Sequence, residues 1–203
     1  MAWLVAGLGN PGERYAQTRH NLGRMAVEEL ARDARASFRK VRFLPIEIAE
    51  VRIADEPVVL ARSTRFMNEA GPSYASLAGK RDIDPERFVA VHDELDLQPG
   101  VLRVKRGGGS AGHNGLRSLD RALGTPDYLR VRIGIGRPPG RQEPADFVLQ
   151  PIGKKERADI AVLAGRAADA VRSLLEDGLE RTQDRFNGAA PSSSSRETPP
   201  RTN

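Results

Sequence analysis

The chain contains no cysteine. That absence removes disulfides, thiolate nucleophiles and cysteine-based zinc sites, and it agrees with a reducing cytoplasm. Aromatic residues are scarce as well, 5% of 203 positions, so the core has to be assembled mainly from Ala, Val, Leu and Ile. No apolar run approaches the ~20 residues that span a bilayer. The opening Ala2-Trp3-Leu4-Val5-Ala6-Gly7-Leu8 is too short for a secretion signal, lacks a basic leader, and runs into the turn Gly9-Asn10-Pro11-Gly12. Internal repeats are missing, and so is any G-x-x-x-x-G-K-[ST] stretch, which leaves P-loop phosphoryl transfer without support.

What the chain does have is positive charge in one place. Its net charge is +5, yet residues 103–141 hold nine basic residues against Asp120 and Asp127 alone, +7 in that stretch and −2 in the remainder. Such a block reads as a phosphate-facing surface. Of the 32 basic residues 27 are arginine, suited to planar two-point phosphate contacts. An arginine-rich genome would account for the excess but not for the clustering.

Strand-like runs fall at 2–8, 46–53, 57–61, 88–92, 101–105 and 129–135. Helical patterns alternate with them at 22–36, 72–79, 114–123 and 156–175, the last with Ile160, Leu163, Ala164, Ala167, Val171, Leu174 and Leu175 on one stripe. Strands alternating with helices predict a single α/β domain over 1–188, a twisted mixed β-sheet flanked by α-helices. Residues 189–203 are Ser/Pro-rich and read as a disordered tail.

Two motifs invite a reading that their context denies. Gly7-Leu8-Gly9-Asn10-Pro11-Gly12 satisfies the dinucleotide fingerprint, but Pro11-Gly12 predict a turn, with the next helix about ten residues on, where a helix should open. The acidic residues Glu28 and Glu29 then sit inside that helix rather than at the end of a second strand. Gly108-Gly109-Ser110-Ala111-Gly112 matches a nucleophile elbow, yet the one histidine after Ser110 is His113, too local to serve as its base. A mobile glycine-rich gate is the simpler reading.

Three histidines remain, each followed by Asn or Asp: His20-Asn21, His92-Asp93 and His113-Asn114. His20 precedes a helix near the C-terminal side of the first strand, and Asp93 follows the strand at 88–92. Sites collect at that edge of open α/β sheets. A carboxylate there can hold the proton of one imidazole nitrogen and leave the other basic toward water. Asn10, Asn68 and Asn114 lie in loops beside predicted strands, where a carboxamide reads an amide or an oxyanion without adding charge. Two alternatives stay open at this point. One is a metal-dependent hydrolase using His20, His92, His113 and Asp93, though no H-E-x-x-H pair supports it. The other is a non-catalytic RNA-binding module, which explains the basic stretch only.

These residues, in order, resemble bacterial peptidyl-tRNA hydrolases over 3–186. The matching stretches are Gly7 to Gly12, Thr18-Arg19-His20-Asn21-Leu22-Gly23, Phe66-Met67-Asn68, His92-Asp93-Glu94-Leu95-Asp96, GGGSAGHNGL from Gly107, and Arg132-Ile133-Gly134-Ile135-Gly136-Arg137-Pro138. The resemblance implies cleavage of the ester between a peptide and the terminal ribose of tRNA by a monomeric, cytoplasmic enzyme with no metal or other cofactor. It implies that His20 activates water, Asp93 orients His20, and Asn10 distinguishes N-blocked substrates. It places Asn68, Asn114, Met67 and His113 with Tyr15 and Phe66 around the peptide and 3′-end, and Arg103, Lys105 and Arg132 at tRNA phosphates. The chain departs from the family's Lys-Pro-x-Thr at Arg62-Ser63-Thr64-Arg65, and has Ala70 where Ser is usual. Losing that proline predicts a more mobile loop around Asn68.

Overall fold

Alternating side chains along the first strand divide the molecule into layers. In β1 (Trp3–Gly7), Leu4 and Ala6 face one side of the sheet and Val5 the other, and each side joins its own apolar cluster. The computed structural model describes residues 1–188; the tail expected at 189–203 lies outside the described residues. After β1 come a one-turn helix α1 (Glu13–Ala16), a 3-10 turn (Arg19–Asn21) and α2 (Leu22–Asp33). Next are β2 (Arg39–Lys40), the hairpin of β3 (Ile46–Ile53) and β4 (Glu56–Ser63), a 3-10 turn (Met67–Glu69) and α3 (Gly71–Lys80). The second half runs β5 (Phe88–Glu94), β6 (Leu102–Arg106), α4 (Asn114–Leu123), β7 (Leu129–Gly134), α5 (Pro144–Leu149) and α6 (Arg157–Asn187).

The seven strands form one sheet in the order β2-β3-β4-β1-β5-β7-β6. β4, β1, β5 and β7 are mutually parallel, while β2, β3 and β6 attach antiparallel, so the sheet is mixed as its sequence pattern predicts. α2 and α6 cover the face that carries Val5, Val89 and Val131. α3 and α4 cover the opposite face through Tyr74, Leu77, Leu116 and Leu119. Both faces of the parallel strands are therefore buried, the usual condition for such strands.

The long strands and helices fall close to their expected positions. The differences have local causes. α1 opens directly after Gly12, so the helix beyond that turn is closer than its sequence suggests. α1, β2 and α5 are each too short to show a period. α6 continues past Leu175 to Asn187 because a break at Gly178, with φ of 80°, re-aims its last turns. Those turns guard the sheet's edge. On β6 the Val104 amide donates to Asn187 Oδ1 (2.7 Å), and its carbonyl accepts from Gln183 Nε2 and Asn187 Nδ2 (3.0 Å each). An uncovered edge strand would offer those groups to another chain.

Ser63, where the resemblance leads one to expect proline, is tied down by hydrogen bonds instead. Its amide donates to Tyr74 Oη (3.0 Å), and that hydroxyl donates to the Gly7 carbonyl (2.8 Å). Its own Oγ accepts from the Arg65 amide (3.0 Å). A proline has no N–H to give, so here hydrogen bonds take over the restraint, and the expected loosening of the loop toward Asn68 does not follow. Burial pushes the Tyr74 hydroxyl up to about 12, which keeps it protonated and able to donate. Tyr74→Phe strands a buried donor and a buried acceptor, with an expected loss of ~1–3 kcal/mol in urea unfolding. An unchanged midpoint would remove this bridge from the contacts that hold β1, β4 and α3 together.

Candidate active site

The site begins with a close approach. A Cβ on Gly23 would run into the Val91 carbonyl, so glycine alone lets the first turn of α2 rest on the backbone of β5. His20, in the 3-10 turn that leads into α2, is thereby held over the C-terminal end of β5, where Asp93 stands. His20 Nδ1 lies 3.0 and 3.1 Å from the two Asp93 carboxylate oxygens. The neighbouring Asn21 clamps the loop after β1: its Oδ1 accepts from the Asn10 amide (2.8 Å) and its Nδ2 donates to the Asn10 carbonyl (2.9 Å).

His113 approaches Asp93 from the other side. It caps α4, its Nδ1 accepting from the amides of Gly115 (3.1 Å) and Leu116 (3.3 Å). A nitrogen that accepts carries no hydrogen, so the His113 proton is on Nε2, which donates to Asp93 Oδ1 at 3.0 Å. The His20 and His113 rings stand 4.8 Å apart, centroid to centroid. Burial alone would push the Asp93 carboxyl up, but the two imidazoles outweigh it by charge and hydrogen bonding and hold it well below the usual carboxylate range. For His20, burial pulls down while the charge and hydrogen bond of Asp93 pull up harder, so its pKa is raised. With Asp93 ionised, His20 keeps its proton on Nδ1 and presents a bare Nε2.

His20, Asp93 and His113 are also close enough to be considered as cation ligands, their nearest donor atoms lying within 4.8 Å of one another. The tautomers oppose that use. The nitrogens turned toward Asp93 both carry hydrogen, one of them dictated by the helix amides. The four-ligand set considered from the sequence does not assemble either. His92 turns away and donates from Nδ1 to the Asp93 backbone carbonyl (2.7 Å), and burial holds its pKa well below the ordinary value.

A cleft of about 310 Å³ opens over these groups, lined by His20, Asp93, Glu94, His113 and Asn114, with Glu143, Pro144 and Val148 as its outer wall. The wall is α5, held in place by a bridge between Thr18 and Pro151 and by the Ile152 amide on Gln17 O (2.8 Å). Asn10 is nearly buried, and its Oδ1 accepts from the Met67 amide (2.8 Å), which leaves Nδ2 as the outward donor. Met67 is buried against Leu8 and Gly115 and packs in the core, rather than standing in the cleft as the resemblance implies. The Tyr15 and Phe66 rings meet edge to face at 6.0 Å, with Phe66 51% exposed. Asn114 is the first residue of α4 and reaches the cleft. Asn68 does not: it is exposed on its 3-10 turn, in a shallow depression with Ser118 and Arg121.

The expected phosphate contacts share one face of the β6–β7 pair, where Arg103 stands opposite Arg132 and Lys105 opposite Arg130. Arg132 Nε donates to Glu94 Oε2 (3.1 Å), joining this stripe to the cleft wall. Partial burial, then the charges of Arg132 and Arg130, lower the Lys105 pKa. Arg130 itself is fully buried; its Nη1 donates to the Gly109 carbonyl (2.9 Å) and anchors the glycine-rich loop. Asn21, Glu94, Arg130 and all of α5 escape the sequence reading. For Arg130 a signal was present, since β7 alternates Leu129, Val131 and Ile133 with Arg130 and Arg132.

Fold and site together define an α/β protein whose imidazole–carboxylate pair, at the C-terminal edge of a parallel sheet core, is the equipment of a hydrolase. The sequence profile described as peptidyl-tRNA hydrolase matches residues 4–195, and the chain belongs to that family. It is 51% identical over 196 residues to the peptidyl-tRNA hydrolase of Kineococcus radiotolerans, covering 93% of this chain and 98% of that one. The Mycobacterium marinum protein of the same name is 50% identical, covering 91% and 96%. The crystal structure of peptidyl-tRNA hydrolase from Acinetobacter baumannii superposes with a TM-score of 0.86 at 34% identity, covering 94% and 97%.

The tautomers and charges can be read without a substrate. In a histidine-detected NMR titration His20 is expected to titrate above its ordinary 6.5. In Asp93→Asn, burial then acts alone and the midpoint drops below that of the wild type. Nitrogen shifts are expected to show Nδ1–H for neutral His20 and Nε2–H for His113. A His113 spectrum with hydrogen on Nδ1 would contradict the capping arrangement.

Proposed function

We propose that this chain hydrolyses the ester between a peptide and the 3′-terminal ribose of tRNA, returning tRNA from prematurely released peptidyl-tRNA. The observation that carries the chemistry is the His20–Asp93 contact at 3.0 Å, which leaves Nε2 basic toward the cleft. His20 Nε2 takes a proton from a water as the oxygen of that water attacks the ester carbonyl. The tetrahedral intermediate then expels the ribose oxygen, which receives the same proton back from Nε2. Asp93 stays ionised throughout and stabilises the transient imidazolium.

The carboxamides supply selectivity. Asn10 Nδ2, aimed outward because Met67 occupies its Oδ1, donates to the carbonyl of a peptide bond that free aminoacyl-tRNA lacks. Asn114 holds the peptide and 3′-end at the cleft, with Asn68 farther out, and Tyr15 and Phe66 flank the terminal nucleotide. His113 acts through Asp93 rather than on substrate. Arg103, Lys105 and Arg132 take backbone phosphates, which gives affinity without sequence preference. Residues 1–188 work as one unit, as a cytoplasmic monomer needing no metal. A non-catalytic RNA-binding module would leave the buried His20–Asp93–His113 chain without a purpose.

Incubation with N-acetylaminoacyl-tRNA and with unblocked aminoacyl-tRNA tests this reading. Release is expected from the blocked substrate only, insensitive to a chelator, and reduced by about 10³-fold or more in His20→Ala. Equal turnover of both substrates would defeat the role given to Asn10, and a wild-type rate in His20→Ala would end the mechanism.

Binding is expected to weaken with salt at a log–log slope of about −0.7 to −0.9 per neutralised phosphate. Lys105→Gln should make that slope shallower by roughly one contact. A slope unchanged in Lys105→Gln would take that side chain off the phosphate path.

A further inference from the structure

The loop 41–45 between β2 and β3 carries an aromatic residue in a place that chain sterics reserve for others. The Leu44 amide donates to the Val41 carbonyl (3.2 Å), which closes a turn with Phe43 in its third position at φ +63°. A positive φ there favours glycine or asparagine. Phenylalanine is strained in that conformation and gains little burial in return, because it is 82% exposed. The Arg42 guanidinium lies 4.5 Å from the centre of its ring.

The surroundings are basic. Arg35, Arg39, Lys40 and Arg42 follow one another with no acidic residue between Asp33 and Glu47, a second concentration of charge outside residues 103–141. Arg39 is drawn to Glu50. Arg42 and the nearby Arg65 form no ion pair among the described residues. Topology sets this loop at the same edge of the sheet as the site. β3 runs antiparallel to β4 with Ile46 opposite Ser63, so the loop emerges at the edge where β1 and β5 end. The Thr64 amide donates to the Pro45 carbonyl (3.0 Å) and fastens it to the segment leading through Arg65 to Phe66. In the strand order β2 and β3 lie at one end of the sheet and β6 at the other, so the two basic surfaces flank the catalytic edge.

We propose that Phe43, Arg42 and Arg65 form a second RNA contact surface, in which Phe43 stacks on an unpaired base of the tRNA 3′ strand and the arginines take the flanking phosphates. The assignment of tRNA rests on the function proposed above. An exposed ring under a guanidinium, within a basic run of the chain, matches a base with its phosphates, since every base has a stacking face and each linkage an anion. A neutral peptide would use the ring but not the charge.

Phe43→Gly makes a clean test, because it removes the ring and relieves the backbone. Its melting temperature should equal or exceed that of the wild type, which separates lost binding from lost folding. KM for N-acetylaminoacyl-tRNA is expected to rise about fivefold or more with kcat retained, and the Kd for uncharged tRNA by anisotropy to rise in parallel. Phe43→Trp should restore both, and Phe43→Leu should not. Unchanged KM and Kd in folded Phe43→Gly would overturn the surface and leave a protein partner as the occupant. Leucine performing as well as tryptophan would overturn stacking. If the wild type fails to cleave the acylated tRNA while its Kd still depends on Phe43, the catalytic reading falls and the RNA surface stands.

Discussion

A single buried carboxylate organises this protein. Asp93 is almost wholly removed from solvent, and an ionised group there is costly unless its lone pairs are met. Two imidazole N–H groups meet them, from His20 and from His113. The consequence runs along a chain of hydrogen bonds. The first amides of α4 require an acceptor, so His113 turns an unprotonated Nδ1 toward them. Its proton must then sit on Nε2, where it reinforces the negative charge of Asp93. That charge in turn holds the His20 proton on Nδ1 and leaves Nε2 bare. The end of a helix thus reinforces, through Asp93, the choice of basic nitrogen on a histidine far away in the chain.

Such a chain tolerates little slack, and the fold is built to deny it any. His20 comes from the segment after β1, Asp93 from the end of β5, and His113 from the cap of α4, which covers the opposite face of the sheet. Adjacent pairing of β1 with β5 brings the first two to the same edge. Gly23 allows α2 onto β5, and Gly115 lets α4 lie close over Met67 and Leu8, where a Cβ would press on the Met67 sulfur. Asn21 and Asn10 lock the intervening loop by exchanging backbone and side-chain groups. The polar residues around the cleft are therefore largely occupied with one another. The His20 Nε2, the Asn10 Nδ2 and the side-chain amide of Asn114 keep polar atoms unused and stay available to a ligand.

How much of this was legible beforehand follows from the range of each interaction. The parallel core strands and the four long helices have periods that extend over whole elements, so they are visible in the residue order alone. Helix 114–123 matches to the residue, its apolar period stopping at Gly124, a local signal whose φ of 72° suits glycine. The continuation of α6 to Asn187 is invisible, since the reason for it lies on Val104 of a strand far away in the chain. α5 is missed for the same reason: six residues show no period, and its place over the cleft depends on a bridge from Thr18 to Pro151. Among site residues, His20 and Asp93 are readable from their position at strand ends. The part played by His113 is not, because a histidine that caps a helix and one that touches substrate look alike in a sequence. Met67 belongs to the same class: its motif marks it, and only packing shows that it is buried.

The charge pattern carries a similar lesson with a different physical cause. A count over residues 103–141 treats all nine cations as surface, yet Arg130 is fully buried and directed at Gly109 O, Pro126 O and Asp120. Arg132 shares its charge with Glu94 and Arg137 with Asp96. The outward field of that block is smaller than its +7, and part of its charge builds the glycine-rich loop rather than a phosphate site. Conversely, the shorter run at 35–42 attracts no notice in a total of +5, though its cations reach solvent toward the same edge of the sheet with fewer internal partners. A polyanion responds to the field at its own surface, which falls off over a Debye length of about 8 Å at physiological salt. For the RNA surfaces proposed above, exposure at the catalytic edge, rather than the number of cations in a segment, is therefore the quantity that counts.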